Sequence, residues 1–296
     1  MSIAYKKGIQ MERKFFKDYI KFLKTNDNTN LSKIKDMIMP QKLYKFFTDS
    51  SYSFNNLFDS CIYLSPPDKF NDPYDTKPLF DPDYLWKLYN ADNEIKSFWD
   101  SRIGDNNTGE QRKVVICLQQ ALLKFMSNYR ITCFTENNYS NVLMWSHYAN
   151  SHKGFCIEYD TSDTWLRKHY FLLNPVFYSD KIYDLSECFY ELAKNYFKNS
   201  GRGCNMIEFL ISALVKAQEW SYEKEWRIIL LSEGSTPKTI DVDKPKAIYL
   251  GLNIEDEPKN KITEFAINNG VPIYQMKQKG NEYKLIPELI NDVVRN

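Results

Sequence analysis

The chain has 296 residues, with 39 Lys and Arg against 38 Asp and Glu, which gives a formal net charge of +1. This length fits one large domain or two fused units. The balanced charge excludes a global field that would recruit nucleic acid or an anionic membrane. Aromatic residues make up 16% of the chain, so a sizeable core is available.

The six cysteines stand apart in mostly apolar stretches, and none forms a CxxC pair. This spacing disfavours a zinc ribbon and a disulfide framework, and it predicts buried thiols in a reducing compartment. The first residues lack the apolar segment of a signal peptide, and no stretch is long and apolar enough to span a bilayer. We therefore expect a cytoplasmic protein without a membrane partner, and the sequence leaves its oligomeric state open.

The chain begins with a segment that differs from the rest. Apolar residues at helical spacing predict a helix over 11–23 and a short helical piece over 34–39, with a polar break at 26–30. We therefore predict an N-terminal helical arm over 1–40, followed by a single domain over 41–296.

The main domain alternates short helices with short strands, distinguished by apolar periods of 3.6 and 2 residues. The predicted strands cover 42–47, 61–65, 131–135, 155–159, 175–178, 223–231, 247–251 and 272–276. The predicted helices cover 54–60, 84–90, 111–128, 142–150, 186–198, 206–218, 260–268 and a short final segment. Because no regular βαβ repeat appears, the fold class is α+β, with a mixed, partly antiparallel sheet covered by several helices. The expected covering helices are 111–128, 186–198 and 206–218.

The loop FNDPYD, from Phe70 to Asp75, is the first of three segments with functional chemistry. Its Asn-Asp-Pro core favours a turn, because Asn and Asp bond to nearby backbone and Pro fixes φ. The loop is either a structural turn anchored by Phe70 and Tyr74, or the rim of a pocket lined by Asn71 and Asp72. The residue types favour both interpretations equally.

The predicted helix over 142–150 is the second segment. Trp145, Tyr148 and His152 follow the spacing i, i+3, i+7, which predicts that they share a face. His147 points elsewhere, because a five-residue gap to His152 turns the helix by about 140°. The two histidines therefore make a poor metal pair. Each is either a hydrogen-bonded core residue or an acid, base or ligand-orienting group.

The strand predicted over 223–231 carries the third segment. It would place Glu223, Glu225 and Arg227 on one face. Such a cluster suits a polyhydroxylated or cationic group, whereas the alternative is a solvated face whose Glu–Arg pair contributes little stability. Flanking Trp and Tyr residues disfavour full solvation, so we favour function. We expect one site where the loops 70–75 and 136–152 approach this strand.

Several sequence motifs are absent. The chain has no GxxxxGK[ST], no GxGxxG and no GxSxG. A nucleotide P-loop, a Rossmann site and a serine-hydrolase nucleophile elbow are therefore disfavoured.

Motifs in all three segments resemble the bacterial and phage family known as domain of unknown function 2971. They are LYKF, FNDPYD, TCFT with LMWSHYA, HKGFCIEYD, and the stretch WSYEKEWR. The resemblance spans roughly 42–251, most of the chain. It implies a family core but supplies little biochemistry.

The opening strand, helical turn and second strand are similar, more distantly, to ADP-ribosyltransferase folds. That similarity implies NAD as a substrate and a Glu-x-Glu pair, matched by Glu223 and Glu225, in which the carboxylate stabilises an oxocarbenium-like transition state. It also implies a first-strand residue at Lys45 and a second-strand residue at Tyr63 or Ser65. The family has His or Arg on the first strand, and Lys lacks the planar fork of Arg.

The leading hypothesis is an NAD-using transferase or glycohydrolase, an effector of the toxin or phage-defence kind. Its catalytic residues would be Glu225, helped by Glu223, together with His147. Its substrate-binding residues would be Lys45, Tyr63, Ser65, Asn71, Asp72, Trp145, Tyr148, His152, Glu158 and Arg227. No structural metal is expected, and a protein or nucleic-acid target stays unspecified.

Two alternatives stay open at this point. The first is a metal-dependent nuclease or hydrolase that uses Asp72, His147, Glu158 and Glu225. The second is a non-enzymatic domain whose polar residues bind a ligand or a partner.

Overall fold

The computed structural model describes residues 3–77, 79–97, 120, 124, 126–197, 207–231 and 238–291. The chain divides into two compact units, each assembled from three separate stretches. The first unit comprises Met1–Ile38, Pro66–Tyr129 and Phe177–Trp220, and the second comprises Met39–Ser65, Arg130–Val176 and Ser221–Asn296. The predicted division into an arm over 1–40 and one domain over 41–296 stays a prediction.

Helices and strands alternate along the described chain. The strands are β1 (Lys42–Phe47), β2 (Cys61–Tyr63), β3 (Tyr129–Thr135), β4 (Phe155–Asp160), β5 (Leu173–Pro175), β6 (Phe177–Ser179), β7 (Val215–Ala217), β8 (Glu225–Leu231), β9 (Thr239–Asp241), β10 (Ala247–Leu250), β11 (Ile273–Gln278) and β12 (Leu285–Asn291). The α-helices are α1 (Ile3–Lys24), α2 (Asn28–Ile38), α3 (Ser51–Phe58), α4 (Pro82–Ala91), α5 (Val142–Tyr148), α6 (Thr164–Lys168), α7 (Ser186–Phe197), α8 (Ile207–Ser212) and α9 (Asp256–Asn268). Short 3₁₀ helices cover Pro67–Lys69 and Gln218–Glu223.

The second unit is built on an eight-stranded sheet in the order β12-β11-β10-β4-β1-β3-β8-β5. Strand β1 pairs antiparallel with both β3 and β4, whereas β10 and β11 run parallel. The sheet is therefore mixed and mostly antiparallel, which confirms the predicted α+β class. A second, two-stranded sheet pairs β2 with β9.

The two faces of this sheet carry different residues, because successive side chains on a strand point to opposite sides. Tyr44 on β1 is level with Glu158 on β4 and Thr135 on β3, and these residues define the front face. The ring of Trp145 on α5 packs edge-on against Phe46 of this face, with centroids 5.0 Å apart. Helix α5 therefore covers the front face.

Aromatic packing also covers the opposite, back face. Phe155 on β4 stacks on the Phe54 ring of α3, with centroids 6.0 Å apart. Phe134 on β3 contacts Trp165 of α6, with centroids 5.8 Å apart. The sheet is thus buried on both faces by helices of its own unit.

The turn between α5 and β4 has unusual backbone geometry. Asn150, Ser151 and His152 have φ angles of 44°, 52° and 69°, a left-handed conformation that non-glycine residues seldom adopt in succession. At Gly154, an added Cβ would lie 1.9 Å from the Phe47 carbonyl oxygen. Only glycine therefore lets this turn approach β1 so closely.

The first unit combines helices with a small parallel sheet of β6 and β7. Phe16 on α1 packs against Phe177 at the start of β6, with centroids 4.5 Å apart. Helices α4 and α7 are joined by the Tyr190 hydroxyl, which donates to Asp92 over 2.6 Å. This hydrogen bond lowers the pKa of the Asp92 carboxyl group.

Several sequence predictions differ from the structure. The predicted helix over 206–218 is wrong in its second half, where β7 pairs with β6. The predicted final helix is wrong, because β12 pairs with β11. The polar break predicted at 26–30 is shorter, since α2 begins at Asn28. The predicted helix over 111–128 lies almost wholly outside the described residues.

Two further predictions concern the chain as a whole. No disulfide joins the cysteines in the part of the chain that the structure describes. Within the same residues, no helix combines the length and apolar character needed to cross a membrane.

Candidate functional site

Polar side chains of the second unit gather on the front face, at one end of its strands. Strands β3 and β4 end there, at Thr135 and Asp160, whereas β1 begins there, at Lys42, because it runs antiparallel to both. Strand β8 also begins there, at Glu225, since the residues just before it are bonded to the end of β3.

Glu223 is held in place by the loop that follows β3. The Thr135 hydroxyl donates to the Glu223 carbonyl, and the Asn137 side-chain amide donates to the Tyr222 carbonyl. Lys224 has a φ of 46°, and its carbonyl accepts a hydrogen bond from the backbone N–H that follows Thr135. Glu223 therefore ends the 3₁₀ helix Gln218–Glu223 and stands before β8, so the predicted strand over 223–231 begins two residues too early.

Helix α5 brings a tyrosine to Glu223. Asn141 caps this helix, since its side-chain oxygen accepts from the Leu143 and Met144 backbone N–H groups at 3.0 and 3.4 Å. The Tyr148 hydroxyl then donates to the Glu223 carboxylate, which is only 2% exposed. Burial raises the pKa of Tyr148, and the adjacent carboxylate adds to the effect. Tyr148 therefore stays a neutral hydrogen-bond donor at neutral pH.

Glu225 and Arg227 lie on one strand face, as predicted. Arg227 donates through Nε to Oε1 over 2.8 Å and through Nη2 to Oε2 over 3.1 Å, so both oxygens of Glu225 are engaged. Arg227 is fully buried and Glu225 is 6% exposed. The Cys133 thiol also bonds to Glu225, and burial raises the pKa of that thiol well above its usual value.

Three rings surround the outer end of this cluster. His147 is exposed, and its ring lies 6.3 Å, between centroids, from both the Tyr148 and the Tyr222 rings. Tyr148 and Tyr222 also pack against the front-face core. The arrangement is an aromatic mouth, defined by His147, Tyr148 and Tyr222, beside the carboxylate of Glu223.

A second carboxylate centre is built around Glu158 on the same face. Lys42 Nζ lies 2.6 Å from Oε1, and the Tyr249 hydroxyl donates to Oε2 over 2.8 Å. The Tyr44 hydroxyl bonds to Glu158 as well. The hydrogen bond to Glu158 raises the pKa of Lys42, and burial raises the pKa of Tyr249. Both oxygens of Glu158 are therefore engaged by groups of β1 and β10.

Trp145 and His152 lie beside each other, where α5 and the turn after it pack together. Trp145 is fully buried and donates through Nε1 to the Tyr139 carbonyl over 2.7 Å, so it offers no face to a ligand. The His152 ring does stack near Trp145, with centroids 6.3 Å apart. However, α5 ends at Tyr148, so His152 reaches this position from the left-handed turn and not from a continuous helix. Burial lowers the pKa of His152.

Lys45 lies on the face opposite to Glu225. Its ammonium is 5.6 Å from the ring centroid of Phe134, a back-face residue, and donates to the Cys133 carbonyl over 3.0 Å. Glu225, in contrast, contacts the thiol of Cys133, which points to the front face. Lys45 and Glu225 therefore point to opposite faces of the sheet, and the expected role of Lys45 in holding NAD stays a prediction. Burial lowers the pKa of Lys45.

The other expected residues are placed apart from Glu223 or in the other unit. Ser65 pairs with Ile131, at the opposite end of β3 from Thr135, which is a distance of about 13 Å along the strand. Tyr63 precedes it on β2. Asn71 and Asp72 belong to the first unit, so their place in a shared site stays a prediction.

The metal-dependent alternative named Asp72, His147, Glu158 and Glu225 as its acting residues. Within the described ranges, no group of three or more His, Cys, Asp or Glu side chains is arranged to hold a metal ion. Glu158 and Glu225 are each occupied by a basic side chain. A metal-dependent reaction stays an untested hypothesis.

Sequence reasoning missed the residues that hold Glu223 and Glu225. Thr135, Asn137 and Cys133 are separated from them by about ninety residues of sequence, and single polar residues at a strand end give no signal of a distant partner. The N-cap at Asn141 was the one nearby clue, since it begins the helix that carries Tyr148.

A family model described as a protein of unknown function (DUF2971) matches residues 144–228. The match includes Tyr148, Glu158, Glu223, Glu225 and Arg227, so it supports the expected resemblance over this part of the chain. No curated protein and no solved structure matches the chain. The similarity to ADP-ribosyltransferases is therefore without support from these comparisons.

Proposed function

We propose that the second unit is an enzyme that breaks a glycosidic bond of NAD, either hydrolysing it or transferring the ADP-ribosyl group. The observation that carries this proposal is the pair Glu223 and Glu225, two carboxylates held differently beside the aromatic mouth. Carboxylates of this kind accept hydrogen bonds from ribose hydroxyls and stabilise positive charge that develops at the sugar.

The geometry supports exchanging the roles expected for the two carboxylates. Both oxygens of Glu225 are engaged by Arg227, so Glu225 acts as a positioning residue. Glu223 accepts from the Tyr148 hydroxyl, and a substrate hydroxyl can take the place of that donor. Glu223 is therefore the catalytic carboxylate of the proposal.

The proposed reaction begins as the bond between the nicotinamide nitrogen and the ribose carbon breaks. The bonding electron pair leaves with nicotinamide, which becomes neutral, and Glu223 stabilises the oxocarbenium charge. A water oxygen, or a nucleophile of a target, then attacks the same carbon. The released proton passes to His147, whose ring is exposed to solvent. The rings of Tyr148 and Tyr222 pack against the nicotinamide ring.

The test is release of nicotinamide from NAD by the purified chain, followed by chromatography. We expect Glu223→Gln to lower kcat about 100-fold or more, the usual effect of removing one group that stabilises transition-state charge. Glu264→Gln, at an exposed position of α9, is the matched control and should leave the rate unchanged. No release by the unmodified chain would refute the proposal, as would a Glu223→Gln variant with normal turnover.

A second candidate is a binding domain without catalytic activity. It is favoured by the burial of Glu223 and Glu225, each of which already has a protein partner. Saturable binding of NAD, detected by calorimetry and lost in Glu223→Gln, together with no nicotinamide release, would select this candidate.

A further inference from the structure

The turn from Asp72 to Thr76 in the first unit buries its polar side chains and exposes an aromatic ring. Asp72 is 7% exposed and Thr76 is 1% exposed, whereas Tyr74 is exposed. Asp72 Oδ1 accepts from the Tyr74 backbone N–H over 2.8 Å, which fixes the turn. Surface loops usually show the reverse pattern, with polar groups in water.

Two residues that are distant in sequence, Lys216 and Trp220, lie close to this turn. Lys216 on β7 is buried, and its ammonium lies 3.4 Å from Asp75 Oδ2. The same ammonium lies 4.8 Å from the ring centroid of Trp220, which is half-buried. Asp72 and Asp75 thus bring two carboxylates into this buried turn, and a buried carboxylate is stable only when it is paired or hydrogen-bonded.

The turn contains two polar groups whose bonding is incomplete among the described residues. The Thr76 hydroxyl is buried without a hydrogen-bond partner there, although an unsatisfied buried hydroxyl is destabilising. Thr76 also has a φ of 56°, which is a strained conformation for a β-branched residue. Asp72 forms no ion pair within the same part of the chain. A ligand that satisfied both groups would offset these costs.

We propose that Asp72, Thr76 and Trp220 form a binding site for an organic cation, either a protonated amine or a guanidinium. Its N–H groups would donate to the Asp72 carboxylate and to the Thr76 oxygen, and its alkyl stem would pack on the indole. A divalent metal ion suits this cluster less well, because the Lys216 ammonium already neutralises Asp75. The site is independent of the NAD chemistry proposed for the second unit.

The test compares two probes of the same shape and different charge, butylguanidine and its neutral isostere butylurea, by calorimetry on the full chain at low salt. We expect saturable binding of butylguanidine and at least tenfold weaker binding of butylurea. Equal affinity for both probes, or no binding of either, would overturn the proposal. The result is unaffected by whether the protein turns over NAD, which is measured separately.

Substitution of the carboxylate separates its charge from its structural bond. Asp72→Asn keeps an oxygen that can accept from the Tyr74 N–H, so the turn is retained, but the charge is lost. We expect butylguanidine to bind at least tenfold more weakly. Asp68→Asn, at an exposed position nearby, is the matched control and should bind normally. Equal binding by both variants would contradict the proposal.

Thr76→Gly tests whether the strained hydroxyl serves the ligand. Glycine adopts a positive φ without strain, so we expect a higher Tm together with weaker butylguanidine binding. Asn26→Gly also replaces an exposed left-handed residue, at φ 52°, and should leave binding unchanged. A Thr76→Gly variant with higher Tm and full affinity would show that Thr76 has no part in the site.

Discussion

Glu158 and Glu223 are both buried carboxylates on the front face of one sheet, but the protein holds them in different ways. Glu158 lies beside the Lys42 ammonium and accepts from the Tyr249 phenol. Glu223 accepts from the phenol of Tyr148, a ring that also forms part of the aromatic mouth. The first carboxylate is paired with an ammonium, and the second accepts from a phenol that belongs to the aromatic mouth.

The difference follows from where each residue stands in the chain. Glu158 lies inside β4, and its partners come from the neighbouring strands β1 and β10, so the centre joins three strands. Glu223 is the last residue of a short 3₁₀ helix and is followed by the left-handed Lys224. Residues on irregular backbone supported by a rigid sheet are the usual location of functional groups. Under the proposed function, Glu223 is therefore the reacting carboxylate and Glu158 stabilises the sheet.

The largest expected effect comes from removing the cation that is paired with Glu225. Arg227→Met leaves Glu225 charged and without its guanidinium in a buried environment. We expect a loss of about 3–5 kcal/mol in the free energy of unfolding, measured with urea.

Lys42→Met is the comparison at the Glu158 centre. The Lys42 side chain is about half exposed, so water can replace it, and we expect a loss of at most about 1 kcal/mol. Equal losses in Arg227→Met and Lys42→Met would mean that the two centres are held in the same way.

Removing one phenol hydroxyl from each centre gives two matched variants, whose loss of stability should be intermediate. Tyr148→Phe and Tyr249→Phe each delete a phenol that donates to a buried carboxylate, and each should lower the free energy of unfolding by about 1.5–3 kcal/mol. Under the proposed function, only Tyr148→Phe should change the rate of nicotinamide release. A similar change of rate in both variants would place Glu158 inside the reacting site.

Much of the sheet could be predicted, because its strands have clear local patterns. The bounds of β1 match the prediction, and β4 and β10 differ from it by one residue. The strand β7 and the strand β12 were missed, since Val215–Ala217 continues a helical pattern and Leu285–Asn291 contains a proline. Their pairing with β6 and β11 is a tertiary effect that outweighs local preference.

The site was predicted in its residue types more than in its geometry. The sequence correctly placed Glu225 and Arg227 on one strand face, because alternation on a strand is a local rule. It misplaced Glu223, because the left-handed Lys224 interrupts the strand without any glycine or proline to signal it.

Alkaline pH should weaken both centres, by a smaller amount than the substitutions above. Burial raises the pKa of Tyr148 and of Tyr249, so the folded state keeps protons that the unfolded chain releases above about pH 10. The stability from these groups is complete below that pH and is lost as pH rises toward the folded values. Urea unfolding between pH 8 and pH 11 should show this decline, with a shallower slope in Tyr148→Phe and Tyr249→Phe. An unchanged slope in both variants would exclude these phenols as its source.

The smallest expected effect is a loss of stability at acidic pH, which should involve the turn that carries His152 and leave the Glu158 centre unaffected. His152 lies in the turn after α5, which carries Tyr148, and burial lowers its pKa below the usual value of 6.5. Its contribution to stability is therefore complete above pH 6.5 and is lost as pH falls through the folded value. Ser146, whose hydroxyl lies 3.2 Å from His152 Nε2, offers only a neutral partner to the protonated ring. We expect His152→Gln to flatten the decline of stability between pH 6.5 and pH 5, while Tyr249→Phe leaves it unchanged. The opposite pattern would mean that acid acts through the Glu158 centre, and the comparison between the two carboxylates would have to be revised.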